Sequence, residues 1–312
     1  MERSEMSVEK EAVSTISDVG GSSRILIHAI YAVAILAALS AAFAWGSHEL
    51  AGRTVIGFHL WQLGLIALIL CVSGLMSGLS GFGFSAVGSS CLLLLPPQLA
   101  VPLLMALSTA NQFMSLGQLR QDMPKSWAEA WPEGSAPYIF GGVIGVPLGI
   151  WLLNHLPAPK LMLVFGVILT LYSVYSLMKP AHAKTKGAGG AASGMAVGFI
   201  GGTVGGFTAF PGAAVVVWTG LRNLPKRATR AIVQPYILVL QIVSLATNAY
   251  AHPNIFGRRF WLLLAITMPV VLPGTIGGVL LYKRISDVNF KRISFFLLGL
   301  SGVGLLIKVL LK

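Results

Sequence analysis

Charge is what this sequence has least of. Of its 312 residues, 10% are Asp, Glu, Lys or Arg and 55% are hydrophobic, and the mean hydropathy is +0.79. A water-soluble domain carries about 25% charged residues, so this chain cannot cover a water-facing surface. No Asp, Glu, Lys, Arg or His occurs from Leu60 to Leu119, nor from Gly187 to Leu221. Acids are scarcer still: the apolar stretches hold none, Asp122, Glu129, Glu133 and Asp287 read as loop residues, and Glu49 follows the first helix. That excludes the usual carrier of a coupled proton, an intramembrane carboxylate. The two cysteines, Cys71 and Cys91, both lie in apolar runs at a spacing that fits no metal or redox motif. His28 sits in the first helix and the other histidines near loops or helix ends, no two at metal-ligand spacing. We therefore expect no catalytic residues, no metal ligands, no cofactor and no enzymatic activity.

What the chain does have is long apolar runs. A crossing needs roughly 20 apolar residues to span about 30 Å of hydrocarbon, and its backbone must be satisfied internally. The runs are continuous rather than alternating, which excludes a β-barrel. Gly, Pro and charge breaks divide them into eleven segments, approximately 25–46, 60–78, 84–95, 98–119, 137–155, 160–178, 191–206, 211–222, 230–250, 260–282 and 291–311. The first 24 residues mix acids and bases, match neither a secretory signal nor a transit peptide, and read as a disordered cytoplasmic tail.

The basic residues set the orientation. With the N-terminus inside and one crossing per segment, 16 of the 22 Lys and Arg fall inside; Arg53, Lys160, Arg258, Arg259, Lys308 and Lys312 fall outside. The net charge of +12 is then mainly topology, lying where anionic inner-leaflet lipids attract it. No nucleic acid is needed to explain it. A weaker reading is that the basic loops concentrate an anionic substrate.

Beyond the first helix the chain repeats its order of elements, giving expected units of 1–24 (tail), 25–59 (extra transmembrane helix and loop), 60–186 and 187–312 (two transport repeats). Gly74, Gly78, Gly81 and Gly88 recur as Gly198, Gly202, Gly205 and Gly212 at an offset of 124, and Gly145 and Gly149 as Gly274 and Gly278 at 129. Five segments per half, an odd number, would set the halves upside down relative to each other. The expected fold is thus an all-α polytopic membrane protein, an inverted repeat of two five-segment halves plus one added N-terminal helix.

Two segments, 84–95 and 211–222, are too short to cross alone, and each follows a Gly-rich break at the same place in its half. Such discontinuous helices point to a site near the bilayer midplane. Gly81, Phe82, Gly83 and Ser85 mark the first break; Gly205, Gly206, Phe207, Thr208, Phe210, Pro211 and Gly212 mark the second. Two facing helix N-termini offer unpaired N–H groups and a positive dipole end, a place for an anion without a buried cation. Pro211 suits a helix start. The plainer role for glycine, close helix packing, is favoured for Gly74/Gly78 and Gly198/Gly202. Among the neutral polar residues of the spans, Asn111, Gln112, Gln234 and Gln241 lie mid-helix after each short segment. They could donate to anion oxygens or simply join helices.

These features resemble the sulfite exporter TauE/SafE family. The carriers are the Gly-rich break opening each half, Pro211-Gly212, the Leu-Pro-Lys-Arg-Ala stretch at 224–228, and the Gly145/Gly149 and Gly274/Gly278 pairs. The resemblance implies a bacterial inner-membrane carrier of sulfite or an organosulfonate, held between the two halves. The chain departs from the family pattern in its first break, where Gly81-Phe82-Gly83-Phe84 replaces a glycine run and the proline near 87 or 88 is missing. The expected function is export of a small sulfur-containing oxyanion by alternating access. The alternatives are a passive anion channel and proton-coupled uptake of an organosulfonate.

Overall fold

In the computed structural model the residues described are 54–55, 57–80, 83–119, 134–178, 189–222, 224, 226–282 and 287–310. The expected tail and helix over 1–46, with Gly81 and Phe82, lie outside them. The described chain is almost entirely helical. A two-stranded hairpin, β1 (Thr54–Val55) and β2 (Phe58–His59), turns through Gly57 at φ +75°. Then follow α1 (Leu60–Ser80), α2 (Phe84–Gly88), a 3-10 turn (Ser89–Leu93), α3 (Pro97–Leu119), α4 (Ala136–His155) and α5 (Ala158–Met178). The second half runs α6 (Ala191–Thr208), α7 (Gly212–Leu221), α8 (Lys226–Ala251), a 3-10 turn (Pro253–Phe256), α9 (Arg258–Tyr282) and α10 (Asp287–Leu310). Five of these, α1, α4, α5, α8 and α9, contain stretches long and apolar enough to cross a membrane. Asp287, read as a loop residue, opens α10.

Helix faces are sorted by size rather than by polarity. On α4, Gly141, Gly145 and Gly149 point inward while Phe140, Ile144, Leu148 and Trp151 are exposed. In water that arrangement would be unstable; in lipid, which is as apolar as leucine, helices associate through small residues that let backbones approach. The exposed apolar faces of α4, α5, α9 and α10 are therefore the lipid surface of a multi-pass membrane protein.

Glycines form the seams. Between α1 and α9, a Cβ on Gly74 or Gly78 would collide with backbone of Val271 or Thr275, and one on Gly274 or Gly278 with backbone of Cys71 or Leu75. Between α4 and α6, Gly145 and Gly149 abut Phe199 and Thr203, while Gly198 and Gly202 abut Tyr138 and Gly142. Close packing is thus the role of Gly74, Gly78, Gly198 and Gly202. It also explains Gly145/Gly149 and Gly274/Gly278, whose partners the sequence does not name. A third seam joins α5 and α10 through Gly166 and Gly302, and Ser173 Oγ donates to the Phe295 carbonyl at 2.6 Å.

Side chains tie loop ends to one another. The Arg259 guanidinium lies 4.2 Å from the Phe58 ring centroid, Lys308 Nζ reaches the Leu92 and Leu93 carbonyls, and Gln98 Nε2 approaches the Leu153 carbonyl. Gly189 sits against the Arg222 guanidinium.

Candidate functional site

The second break is shorter than the glycine pattern suggests. α6 continues through Gly205, Gly206 and Phe207 and ends at Thr208, so only Ala209, Phe210 and Pro211 are non-helical. Ala209 adopts a left-handed φ of 59° and its N–H caps the Gly205 carbonyl at 2.8 Å. A non-glycine residue held there costs about 1–2 kcal/mol, so its surroundings must hold it. Thr208 helps: its hydroxyl donates to the Val204 carbonyl (2.6 Å) and accepts from the Phe210 N–H (3.1 Å). Pro211 is the residue before the first turn of α7, where its missing N–H costs nothing. The glycines around the break are spacers: Gly205 lets Pro211 lie on α6, Gly206 meets Gly149 of α4, and Gly212 meets Ile237 and Val233 of α8.

In the first half, α1 runs to Ser80, Gly83 precedes α2, and the expected single helix over 84–95 is five α-helical residues drawn out into a 3-10 turn. Phe84, Ser85, Ala86, Val87 and Gly88 are all buried. A single core contains Phe84, Ala86 and Cys91 from the first break and Phe207, Ala209, Phe210 and Ala213 from the second. The two interrupted segments are therefore parts of one interior, not separate lipid-facing turns. Tyr172 of α5 packs edge-on to Phe210 at 6.4 Å between ring centroids and to Phe295 at 5.6 Å.

The polar residues divide into two groups. Asn111, fully buried, ties three helices: its Nδ2 donates to Ser77 Oγ of α1 at 2.5 Å, and its Oδ1 lies 2.5 Å from Thr275 Oγ1 of α9. The Thr275 hydroxyl is also 3.0 Å from the Val271 carbonyl and shares its proton between the two. Tyr236 spans α8 to α6 in the other half, donating to the Gly198 carbonyl at 2.9 Å. These are joints, and Ser77, Thr275 and Tyr236 carried no signal in the sequence because their partners lie 34 to 164 residues away.

Gln241 belongs to the second group. Its Nε2 points at the Ala209 carbonyl at 3.5 Å, a weak contact, and its Oε1 has no hydrogen-bond partner among the described residues though the side chain is buried. Ser85 Oγ and both amide atoms of Asn248 are likewise buried without a partner among them. Gln112 and Gln234 are also buried. An unpaired buried polar group costs about 1–3 kcal/mol, and such groups in a native interior call for an account. Among the described residues no group of three or more His, Cys, Asp or Glu could hold a metal. The only acidic residue among them is Asp287, at the start of α10.

A sequence profile of the sulfite exporter TauE/SafE family matches residues 65–305. The chain belongs to that family. The matched region takes in both breaks, the glycine seams and every helix from α2 to α9. No curated protein and no solved structure matched the chain. Membership in the TauE/SafE family makes this a membrane transport protein, in keeping with its apolar helices and lipid-sized faces.

Proposed function

We propose that the protein is a secondary transporter that exports a small sulfur-containing oxyanion, sulfite or an organosulfonate, across the bacterial inner membrane by alternating access. The observation that carries this reading is the neutral polarity of the interior around the breaks. Ser85, Gln241 and the carbonyl-lined turn at Ala209 lie in a core with no ionised side chain among its described residues. Hydroxyl and amide donors bind anion oxygens while costing less to bury than charges. The N-terminus of α7 adds unpaired backbone N–H groups and the positive end of a helix dipole. The remaining positions proposed for the site are Gly81, Phe82, Gly83, Gln112, Gly205, Gly206, Phe207, Thr208, Phe210, Pro211, Gly212 and Gln234. Asn111 is assigned there only as a support, since both ends of its amide are engaged.

The helix partnerships favour an inverted repeat. α1 pairs with α9 and α4 with α6, while α5 pairs with α10 and α3 with α8. Exchanging α1–α5 for α6–α10 leaves that set unchanged, as any two-fold relation of the halves requires, and the odd number of segments per half is what sets the axis in the membrane plane. In this reading residues 60–186 and 187–312 are the two repeats, 25–59 an added transmembrane helix and loop, and 1–24 a cytoplasmic tail, with the basic loops facing the cytoplasm.

The test is flux in proteoliposomes holding sulfite, an organosulfonate such as isethionate, or sulfate. Saturable movement of sulfite or isethionate, with sulfate much slower, is expected. Conductance that never saturates would replace the carrier by a channel, and no flux of any of the three would reject the substrate class.

A further inference from the structure

The buried polar groups of α8 run both ways from the break, with Gln234 two turns before Gln241 and Ser244 and Asn248 after it. On α8, Gln241, Ser244 and Asn248 all lie on one face, since 3.6 residues per turn returns 241 to 248 almost in register. Each is 3% exposed or less. Asn248 is fully buried in the last turn of α8, where its carbonyl accepts the His252 N–H at 2.8 Å, yet neither Nδ2 nor Oδ1 bonds any described residue. The rise of 1.5 Å per residue puts it about 10 Å along the axis from Gln241. The neighbouring face of α8 is committed to packing: Tyr236 and Leu240 meet Gly142, and Val233 and Ile237 meet Gly212. In the first half the sequence keeps Gln112 and Ser115 at the matching positions but not the third polar residue. α3 and α8 begin 129 residues apart, and that spacing sets Gln112 against Gln241 but Leu119 against Asn248.

We infer that Gln241, Ser244 and Asn248 line the path by which a small hydrated oxyanion passes between the Ala209 break and the His252 end of the bundle, with the Asn248 amide as a second contact for the anion on that path. This rests on the transport reading above and adds to it a residue and a route. A carboxamide suits a transit site: its N–H groups meet anion oxygens, its carbonyl meets hydrating water, and it carries no charge to trap the ion. Its lack of a partner among the described residues fits that use, because a joint such as Asn111 has no hydrogen bonds to lend. The alternating access proposed above would open the row to water.

The test places single cysteines in the full chain with Cys71 and Cys91 replaced by alanine, reconstituted in vesicles. Iodoacetate, a small water-borne anion, is the alkylating probe. Asn248→Cys should react at least tenfold faster than Leu240→Cys, which points into the α4 contact, and than Ile242→Cys, which is exposed on another face. Alkylation at 248 should then abolish sulfite flux. In separate variants Asn248→Leu should raise KM for sulfite about tenfold with Vmax changed less than threefold, and Asn248→Gln should stay within threefold of the native KM. Labelling at 248 no faster than at 240, in protein whose parent still transports sulfite, overturns the inference alone. A parent that carries no sulfite overturns the transport reading instead, and rapid alkylation at 248 would still mark the row as a water-filled route.

Discussion

A buried amide can join helices or serve a ligand, and the atoms at its two ends distinguish these uses. Asn111 has its donor on Ser77 and its acceptor beside Thr275, so it is consumed by structure. Gln241 keeps Oε1 unpartnered among the described residues and holds the Ala209 carbonyl only loosely. The two should therefore respond oppositely. Asn111→Leu is expected to cost about 2 kcal/mol of stability, since it removes the partner of the buried Ser77 hydroxyl and one of the two acceptors of Thr275, with the KM for sulfite within twofold of native. Gln241→Leu should leave thermal unfolding in detergent within a few degrees of native and raise KM at least tenfold. Equal effects on KM from both would remove the distinction. The sequence places both residues mid-helix and ranks them alike, because helical position tells nothing of which neighbour a side chain meets. Ala209 was invisible for a related reason: a left-handed alanine has no sequence mark where glycine is the expected choice.

At the scale of elements the glycines carry two messages that look alike in sequence. Those at 198, 202 and 206 line the α4–α6 seam and those at 201 and 205 receive the second break, all on one continuous helix. The order of segments and the existence of two short helices were legible, because apolar length and breaks are local properties. The extent of each break was not, because a run of glycine is compatible with either helix or loop until a partner helix fills the groove. Gly202 and Gly277 separate the two cases. A Cβ at 202 strikes the Gly142 backbone, whereas one at 277 meets nothing within 4 Å. Gly202→Val should abolish recovery of folded protein by size-exclusion chromatography, while Gly277→Ala should be neutral or stabilising by up to about 1 kcal/mol. Equal recovery of both would mean the seam does not hold the bundle together.

The short first helix is held from outside itself. Lys308, near the end of α10, donates to the carbonyls of Leu92 (2.9 Å) and Leu93 (2.8 Å), where the 3-10 turn runs out of N–H partners. A cation at a helix C-terminus gains from the dipole as well as from the hydrogen bonds. Lys308→Met keeps the length of the side chain and removes both; a loss of about 1–2 kcal/mol is expected, read as a lower melting temperature in detergent. Lys308→Arg should recover most of it, which a purely steric role for the side chain would not predict.

For the whole molecule the consequence of a neutral interior is electrical. If no protein charge travels with the anion, each turnover of a monovalent oxyanion moves one net negative charge through the field. A potential of 100 mV, negative inside, is worth about 2.3 kcal/mol per charge, enough to hold a gradient of about 50-fold across the membrane. An acid in the core would have allowed a proton to cross with the substrate and cancel that dependence, and the spans of this sequence contain none. Proteoliposomes loaded with sulfite, clamped by potassium and valinomycin at zero and at about 100 mV negative inside with no pH gradient, test this directly. The account predicts net efflux that accelerates with the potential and settles near the 50-fold ratio for a monovalent ion; sulfite flux that ignores the potential and follows an imposed pH gradient instead would contradict it.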